Sequence, residues 1–366
     1  MHFNATRLKN IAGKVPTSIK IVAGALAWLC FIAWLHVEMN LGHETRQVVK
    51  MGYMPVVTNL ACPLLDRATI KGTGPKLEAI KFSSFADMGE ALRSGSIDVA
   101  FMIAPLSIVL CQQKAGLAVV YIGNRHESTL VVRKNLDVRD FGDLAGKTLA
   151  VPIRYSGHYL AAMDLAEKYG IAGQVRIVEM NPPDMSAALS TGSLDAYFVG
   201  EPFAAQTVKG GQSRVLQYVE QTWPGFICNL MVMRKDFIEK NRFLTASLVQ
   251  WAARAGLWAK NNPKQAAAIA SSYWKQPREL VEYVLTTPPG RLVFDRFVPK
   301  QEEMRKLAGK MVHYGLIKTP DINGLVVDEF AKSADLEGVS DFASILKPLP
   351  YPPGKEVPRG GRKEKG

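Results

Sequence analysis

The fold is decided by a pattern that occurs twice, as DMGEALRSGSIDVAFMIAPL at residues 87–106 and as DMSAALSTGSLDAYFVGEPF at residues 184–203. The copies align without a gap. In each, apolar residues spaced three and four apart predict a helix, which a glycine is expected to end. A short apolar run then suits a buried parallel strand, and a proline follows where a new helix can begin. Because this unit is repeated, the sequence predicts two similar α/β lobes.

The rest of the chain alternates predicted strands and helices, which implies mostly parallel sheets with right-handed crossovers. With 366 residues, two domains are the natural expectation. We expect lobe one to comprise residues 47–134 and 225–345, and lobe two residues 135–224. The chain would then cross between the lobes near residues 134 and 224.

The N-terminal part contains an uncharged apolar run, IVAGALAWLCFIAWL, preceded by a basic segment (residues 1–20) without an acidic residue. This pattern is typical of a signal peptide or a membrane anchor, which we place at residues 21–37. No pair of small residues suited to cleavage follows the run, so we favour a retained anchor in the inner membrane. Basic residues stay in the cytoplasm, which predicts that the main domain lies on the periplasmic side.

The formal charge of +12 is concentrated at the two ends of the chain. The basic tail at residues 346–366 is rich in Pro, Gly and Lys and is predicted to be disordered. No basic stripe is evident on the body, so a nucleic-acid partner is not expected.

The cysteines outside the apolar run, Cys62, Cys111 and Cys228, are not spaced as metal ligands. Free thiols are the default, and one disulfide remains an alternative. We expect no metal site and no cofactor.

Ligands of open α/β sheets bind beyond the carboxyl ends of strands, near helix N-termini that suit small anions. Four loops meet that description: Met54–Asn59, Ile103–Ser107, Arg154–His158 and Gly200–Phe203. The candidate ligand-binding residues are Thr58, Asn59, Pro105, Arg154, Tyr155, Ser156, His158, Gly200, Glu201, Trp223 and Asn229.

Arg154 is the candidate for a bidentate grip on an oxyanion, with a solvated role or an interlobe salt bridge as the alternative. Glu201 is expected to interact with the following helix start, with a ligand or metal contact as the alternative. Trp223 has a core role as its alternative. No Gly-x-Ser-x-Gly, P-loop or His-Glu-x-x-His motif is present, so no catalytic residue is assigned.

Two segments, VRIVEMNPPDMSAALSTGSLDAYFVGEPF (175–203) and WPGFICNLMVMRKDFIEKN (223–241), carry a family resemblance. They resemble the periplasmic solute-binding proteins of nitrate, sulfonate and taurine ABC importers, and are most like the nitrate/bicarbonate-binding group. The similarity extends over residues 48–346 and implies a two-lobe, type II periplasmic-binding-protein fold. It also implies ligand contacts from His158 and the Gly200 backbone, whereas nitrate binders carry Lys where this chain has Asn229.

The expected function is therefore the substrate-binding component of an ABC importer. It would capture a small anionic solute, such as nitrate, bicarbonate or a sulfonate, by lobe closure and deliver it to permease and ATPase subunits. One alternative is a cofactor-biosynthesis enzyme on the same fold, of the thiamine-pyrimidine or menaquinone type. The other is a solute sensor without transport.

Overall fold

A computed structural model of the chain describes residues 16–40 and 46–349. It divides into an N-terminal unit and a body that begins at Val48, which are described separately. The basic segment up to residue 15 and the tail from residue 350 onward, for which we made predictions above, lie outside the described residues.

The N-terminal unit contains one helix, α1 (Thr17–Asn40). Its segment Thr17–His36 is long and apolar enough to cross a membrane, a property that signal sequences near the N-terminus share. The helix that we expected is present, and its retention as an anchor stays a prediction.

The body contains ten strands, β1 (Val48–Tyr53), β2 (Lys76–Lys81), β3 (Val99–Ile103), β4 (Leu117–Ile122), β5 (Ser128–Arg133), β6 (Thr148–Val151), β7 (Arg176–Glu179), β8 (Ala196–Gly200), β9 (Ser213–Tyr218) and β10 (Asn229–Arg234), within its described residues. They form two five-stranded sheets, ordered β2-β1-β3-β10-β4 and β7-β6-β8-β5-β9. We call each sheet with its helices the first lobe and the second lobe.

The described helices of the body are α2 (Ala61–Thr69), α3 (Phe85–Ser94), α4 (Ala104–Gln112), α5 (Gly157–Lys168), α6 (Pro182–Ser190), α7 (Phe203–Lys209), α8 (Val219–Thr222), α9 (Lys235–Lys240), α10 (Arg242–Asn261), α11 (Pro263–Trp274), α12 (Arg278–Thr286), α13 (Gln301–His313) and α14 (Glu329–Lys332). Short 3₁₀ segments occupy Val57–Asn59, Phe141–Leu144 and Ala343–Leu346.

The two sheets share one topology. Each contains one strand antiparallel to its neighbours, β10 between β3 and β4 in the first lobe and β5 between β8 and β9 in the second. The other pairs, β1 with β2 and β3, and β6 with β7 and β8, are parallel. In each lobe the antiparallel strand is the first one formed after the chain has crossed from the other lobe.

This topology corrects the predicted lobe boundary at residue 134. The sequence pattern suggested that β5 belongs to the first lobe, but Ser128–Val132 pairs with β8 of the second. The first crossing therefore precedes Ser128. The prediction was wrong because an apolar run identifies a buried strand without identifying the sheet it joins.

The two copies of the sequence pattern occupy equivalent places, since β3 and β8 are the central strands of their sheets. In both copies a glycine follows the helix in the left-handed region, with φ of +80° at Gly95 and +82° at Gly192. Only glycine adopts that conformation without steric cost, which explains why both copies keep it.

An aspartate in each copy ties its strand to the neighbouring one. Asp98 accepts a hydrogen bond from the Lys50 backbone N–H at 3.0 Å, and Asp195 accepts one from the Thr148 N–H at 2.9 Å. Both aspartates thus bond to the strand beside the central one, at its N-terminal part. The Ile-Asp and Leu-Asp pairs of the repeat therefore have a structural role.

The sequence pattern predicts a single helix over Val56–Ala68 with Thr58 or Asn59 as its cap, and the structure differs. A 3₁₀ turn at Val57–Asn59 precedes α2, whose N-cap is Leu60. Asn59 does not cap the helix, because its side chain donates to the carbonyl of Met54 at 2.9 Å.

The C-terminal tail also begins later than predicted. The carbonyl of Lys347 accepts hydrogen bonds from the side chains of Gln250 and Trp251, each at 3.0 Å. These bonds hold the chain on α10 through Lys347, so the boundary at residue 346 was too early.

Arg125, which is 1% exposed, joins the two crossings between the lobes. Its guanidinium donates to the carbonyl of Gly225 at 2.6 Å and to that of Arg296 at 3.0 Å. It also forms a bidentate pair with Glu303 of α13, with both bonds at 3.0 Å. Gly225 is bonded to the first crossing a second time, because its N–H donates to His126 Nε2 at 2.8 Å.

Removing the carboxylate that pairs with Arg125 should destabilise the body. Glu303→Ala leaves a buried guanidinium without its counter-charge, a change that typically costs about 3 kcal/mol. Urea unfolding of the full chain in detergent, followed by tryptophan fluorescence, measures the difference. Glu302→Ala is the matched control, because Glu302 pairs with Lys306 on an exposed surface and should change stability by less than about 1 kcal/mol. Equal losses in both variants would contradict the role of Arg125.

Candidate functional site

Buried polar side chains gather where strand ends of the two lobes meet. We call them the central cluster: Thr58, Asn59, Glu127, Ser128, His158, Glu201, Cys228 and Asn229. None is more than 5% exposed. Since polar groups are costly to bury, such a concentration calls for internal partners or a ligand.

One backbone bond joins the lobes at the cluster, and two further bonds hold first-lobe residues around it. The Val57 N–H of the first lobe donates to the carbonyl of Glu201 in the second at 2.9 Å. Asn229 donates from its side chain to Asn59 Oδ1 at 2.7 Å. The Ala104 N–H at the start of α4 donates to the carbonyl of Cys228 at 2.9 Å. The loops after β1, β3 and β8 therefore approach one another, as the sequence predicted.

His158 enters the cluster from the first turn of α5. Ser156 is the N-cap of that helix and accepts from the Tyr159 N–H at 3.1 Å. The imidazole Nε2 lies 2.8 Å from Ser128 Oγ, and the ring contacts Phe226 edge-on. Burial lowers the pKa of His158 to about 3, so the imidazole is neutral at physiological pH.

Two carboxyl groups, those of Glu127 and Glu201, also belong to the cluster. Glu127 accepts from the Glu201 N–H at 2.7 Å, and burial raises the pKa of Glu127 to about 7. Glu201 accepts from Thr129 Oγ1 at 2.6 Å and from the Ala205 N–H at 2.8 Å. The latter bond is the interaction with the helix start that the sequence suggested. Burial also raises the pKa of Glu201.

The buried cation beside the cluster is Arg291, and it is committed to protein groups. Its guanidinium lies 3.0 Å from Glu220 and 3.7 Å from Glu201, and donates to the carbonyl of Ser128. Its charge is thus shared between two carboxylates.

Three buried polar atoms at the junction have no hydrogen-bond partner among residues 16–40 and 46–349: Thr58 Oγ1, Asn124 Oδ1 and His158 Nδ1. Asn124 follows Gly123, whose N–H donates to the carbonyl of Asn229 at 3.1 Å. Folded proteins rarely leave such atoms unpaired, so each one requires an explanation. A bound solute with donors and acceptors provides one.

Comparisons with known proteins show the family of the chain. Residues 42–273 match the model of the NMT1-like family. The chain belongs to the NMT1-like family. Among curated proteins, the taurine-binding periplasmic protein of Escherichia coli is 32% identical over 225 residues, covering 59% of this chain and 65% of that protein.

Solved structures show the same fold. The periplasmic nitrate-binding protein NrtA from Synechocystis superposes with a TM-score of 0.70 at 16% identity, covering 79% of this chain and 88% of that one. A zinc-bound ligand-binding component of an ABC-type import system from Staphylococcus aureus gives 0.72 at 24% identity, covering 80% and 100%. The predicted two-lobe α/β architecture of periplasmic binding proteins is confirmed.

Within this NMT1-like fold, most predicted site residues lie at or beside the central cluster. Thr58, Asn59, His158, Glu201 and Asn229 are members of it. Three more lie beside it. Gly200 contacts Glu127, Pro105 is in the first turn of α4, and Ser156 caps α5.

Three predicted residues lie elsewhere. The Arg154 side chain is 59% exposed and pairs with Glu179 at 2.8 Å. Both residues belong to the second lobe, so this is the solvated role and not the interlobe salt bridge that was the other alternative. Tyr155 lines a separate groove of about 670 Å³ between the lobes. Trp223 packs edge-on against Phe226, with Lys310 of α13 5.2 Å from the centre of its ring.

Sequence reasoning missed Glu127, Ser128 and Cys228. Glu127 and Ser128 belong to the polar run NRHES between two apolar strands, a signal that marks the crossing between the lobes. Cys228 directly precedes Asn229, but a lone cysteine in an apolar run reads as a core residue.

Gly200→Ala should disturb the cluster by a steric clash. A Cβ at this position would lie 2.6 and 2.7 Å from the two carboxylate oxygens of Glu127, which must then move. We expect a loss of about 1–3 kcal/mol in stability, measured by thermal unfolding. Gly309→Ala in α13 is the control, because a Cβ there meets nothing within 4 Å and should be neutral or slightly stabilising. An unchanged melting temperature in Gly200→Ala would show that Glu127 is not held tightly.

Proposed function

We propose that the chain is the solute-binding component of an ABC importer, and that its lobes close on a small polar solute at the central cluster. The observation that carries the proposal is the group of unpartnered buried atoms at the lobe junction, which includes Thr58 Oγ1 and His158 Nδ1. A solute that bonds to both lobes favours the closed state by its additional contacts. Membership of the NMT1-like family supports this function, since the relatives that the chain matches include a taurine-binding periplasmic protein and aliphatic sulfonates-binding proteins.

The solute that we propose is a small anion, in keeping with the names of the relatives for taurine, aliphatic sulfonates and nitrate. The N-terminus of α5 reaches the cluster at His158 and offers N–H groups and a partial positive charge. Arg154, however, is directed to an exposed ion pair, so its guanidinium does not provide the grip on the anion that we expected.

The transport partners follow from the function. A permease and an ATPase would receive the solute, and α1 would hold the body at the extracytoplasmic face of the inner membrane. Both statements are proposals that rest on the family and on the apolar helix.

Solute binding should stabilise and compact the body. We expect at least one of taurine, butanesulfonate and nitrate to raise the unfolding temperature of the full chain in detergent, because a ligand at 100 times its Kd adds about 2.7 kcal/mol. The same solute should reduce the radius of gyration in small-angle scattering. If the whole panel leaves both quantities unchanged at millimolar concentration, the proposal of an anionic solute fails.

The Thr58 hydroxyl should contribute to affinity. Thr58→Val keeps the shape of the side chain and removes the unpartnered oxygen, so we expect about a tenfold weaker Kd for the stabilising solute, as measured by calorimetry. Thr245→Val is the matched control. Its hydroxyl is also buried without a partner among the described residues, but it lies in α10 and should not affect binding. Equal affinity in Thr58→Val and the wild type would place the solute elsewhere.

A further inference from the structure

Three side chains with metal-binding atoms meet inside the central cluster. They are Glu127, before β5, His158, in the first turn of α5, and Cys228, immediately before β10. The ligand atoms of all three lie within 4.8 Å of one another, and each residue is at most 2% exposed. They come from three separate parts of the chain and are brought together only by the contact between the lobes.

The donor set has the chemistry of a transition-metal site. Carboxylate oxygen, imidazole nitrogen and thiolate sulfur are the three ligand types that zinc prefers, at about 2.0–2.3 Å from the ion. Ligands at those distances in a tetrahedral site lie roughly 3.5 Å apart. Cys228 Sγ already lies 4.0 Å from His158 Nε2. Small side-chain movements therefore suffice to enclose an ion.

We propose that Glu127, His158 and Cys228 form a binding site for one divalent transition-metal ion of the zinc type. Three protein ligands leave a fourth tetrahedral position open to water or to an oxygen of a bound solute. The ion would replace the hydrogen bond between His158 and Ser128, and Cys228 would lose its thiol proton to solvent on coordination.

The electrostatics of the cluster favour such an ion. Among residues 46–349, no cationic side chain lies within ion-pairing distance of Glu127, and Arg291 is engaged by Glu220 and Glu201. A divalent ion would supply the positive charge that a buried anionic solute needs. Arg154 does not bring that charge to the cluster, because it is paired with Glu179. In that respect the metal site deepens the proposed function and rests on it.

The position of the ligands also couples the ion to closure. His158 belongs to the second lobe, whereas Cys228 adjoins the first lobe, where its carbonyl is bonded to the Ala104 N–H. An ion bound by both side chains links the lobes directly, so metal binding should favour the closed arrangement.

Metal content and cobalt spectroscopy test the site. The full chain in detergent micelles is treated with a chelator and dialysed against zinc or cobalt(II). We expect one bound ion per chain and, with cobalt, the charge-transfer absorption of a thiolate ligand. Cys228→Ser should abolish that absorption. Cys228→Ser and Glu127→Gln should each weaken zinc binding by at least ten- to a hundredfold, which is the loss typical of removing a residue that only hydrogen-bonds to a metal ligand. Cys111→Ser, at a partly exposed thiol of α4, is the matched control and should keep both properties.

The outcomes separate the two proposals. Less than one ion per chain at micromolar zinc, or unchanged zinc affinity in both Cys228→Ser and Glu127→Gln, overturns the metal site. Circular dichroism checks that each variant is folded, and Glu127→Gln keeps the shape of the side chain if Cys228→Ser is unstable. If the chain dialysed against zinc holds no metal but is stabilised by a solute, the metal site is overturned and the solute-binding function stands. Stoichiometric zinc with no response to any solute supports the metal site and counts against solute binding.

Discussion

The buried guanidinium of Arg125 is the interaction on which the arrangement of the lobes depends. It bonds to the second crossing at Gly225, to the carbonyl of Arg296 and to Glu303 of α13. The first crossing, the second crossing and the stretch from Arg296 to Glu303 are thereby held together. Glu127 lies two residues further along the same crossing, so the bonds that fix the crossing also limit where this carboxylate can lie. The crossings between the lobes and the central cluster are therefore linked.

The polar groups of the cluster show how a closed cleft can be selective. Burial disfavours the charged forms of Glu127 and His158, so the imidazole is neutral and the carboxyl of Glu127 ionises less readily than an exposed one. The ion pair of Arg154 with Glu179, in contrast, is exposed and contributes little to stability. Under the proposed function, a solute at the cluster would therefore be recognised by hydrogen bonds, by the N-terminus of α5 or by a metal ion bound there. Long-range attraction by surface charge would act on its rate of arrival.

Much of the fold could be predicted from the repeated pattern, because its helix, glycine and strand obey local rules of periodicity and backbone conformation. The lobe assignment of β5 could not, since strand pairing is a property of the whole sheet. The same distinction applies to the site. Loops after parallel strands could be placed at the cleft, and two of those loops supply Asn59 and His158 to the central cluster. Cys228 and Glu127 are far apart in sequence, and no local pattern indicates that they meet.

The shared topology of the sheets has a consequence for biosynthesis. All strands of the second lobe lie in one continuous stretch, from β5 to β9. The first lobe starts earlier, yet its sheet has a gap between β3 and β4 that only β10 fills. As the polypeptide leaves the ribosome, the second lobe thus has its complete set of strands first. The N-terminal half of the first lobe must wait with two unpaired strand edges, and that interval is when it would most need protection from aggregation.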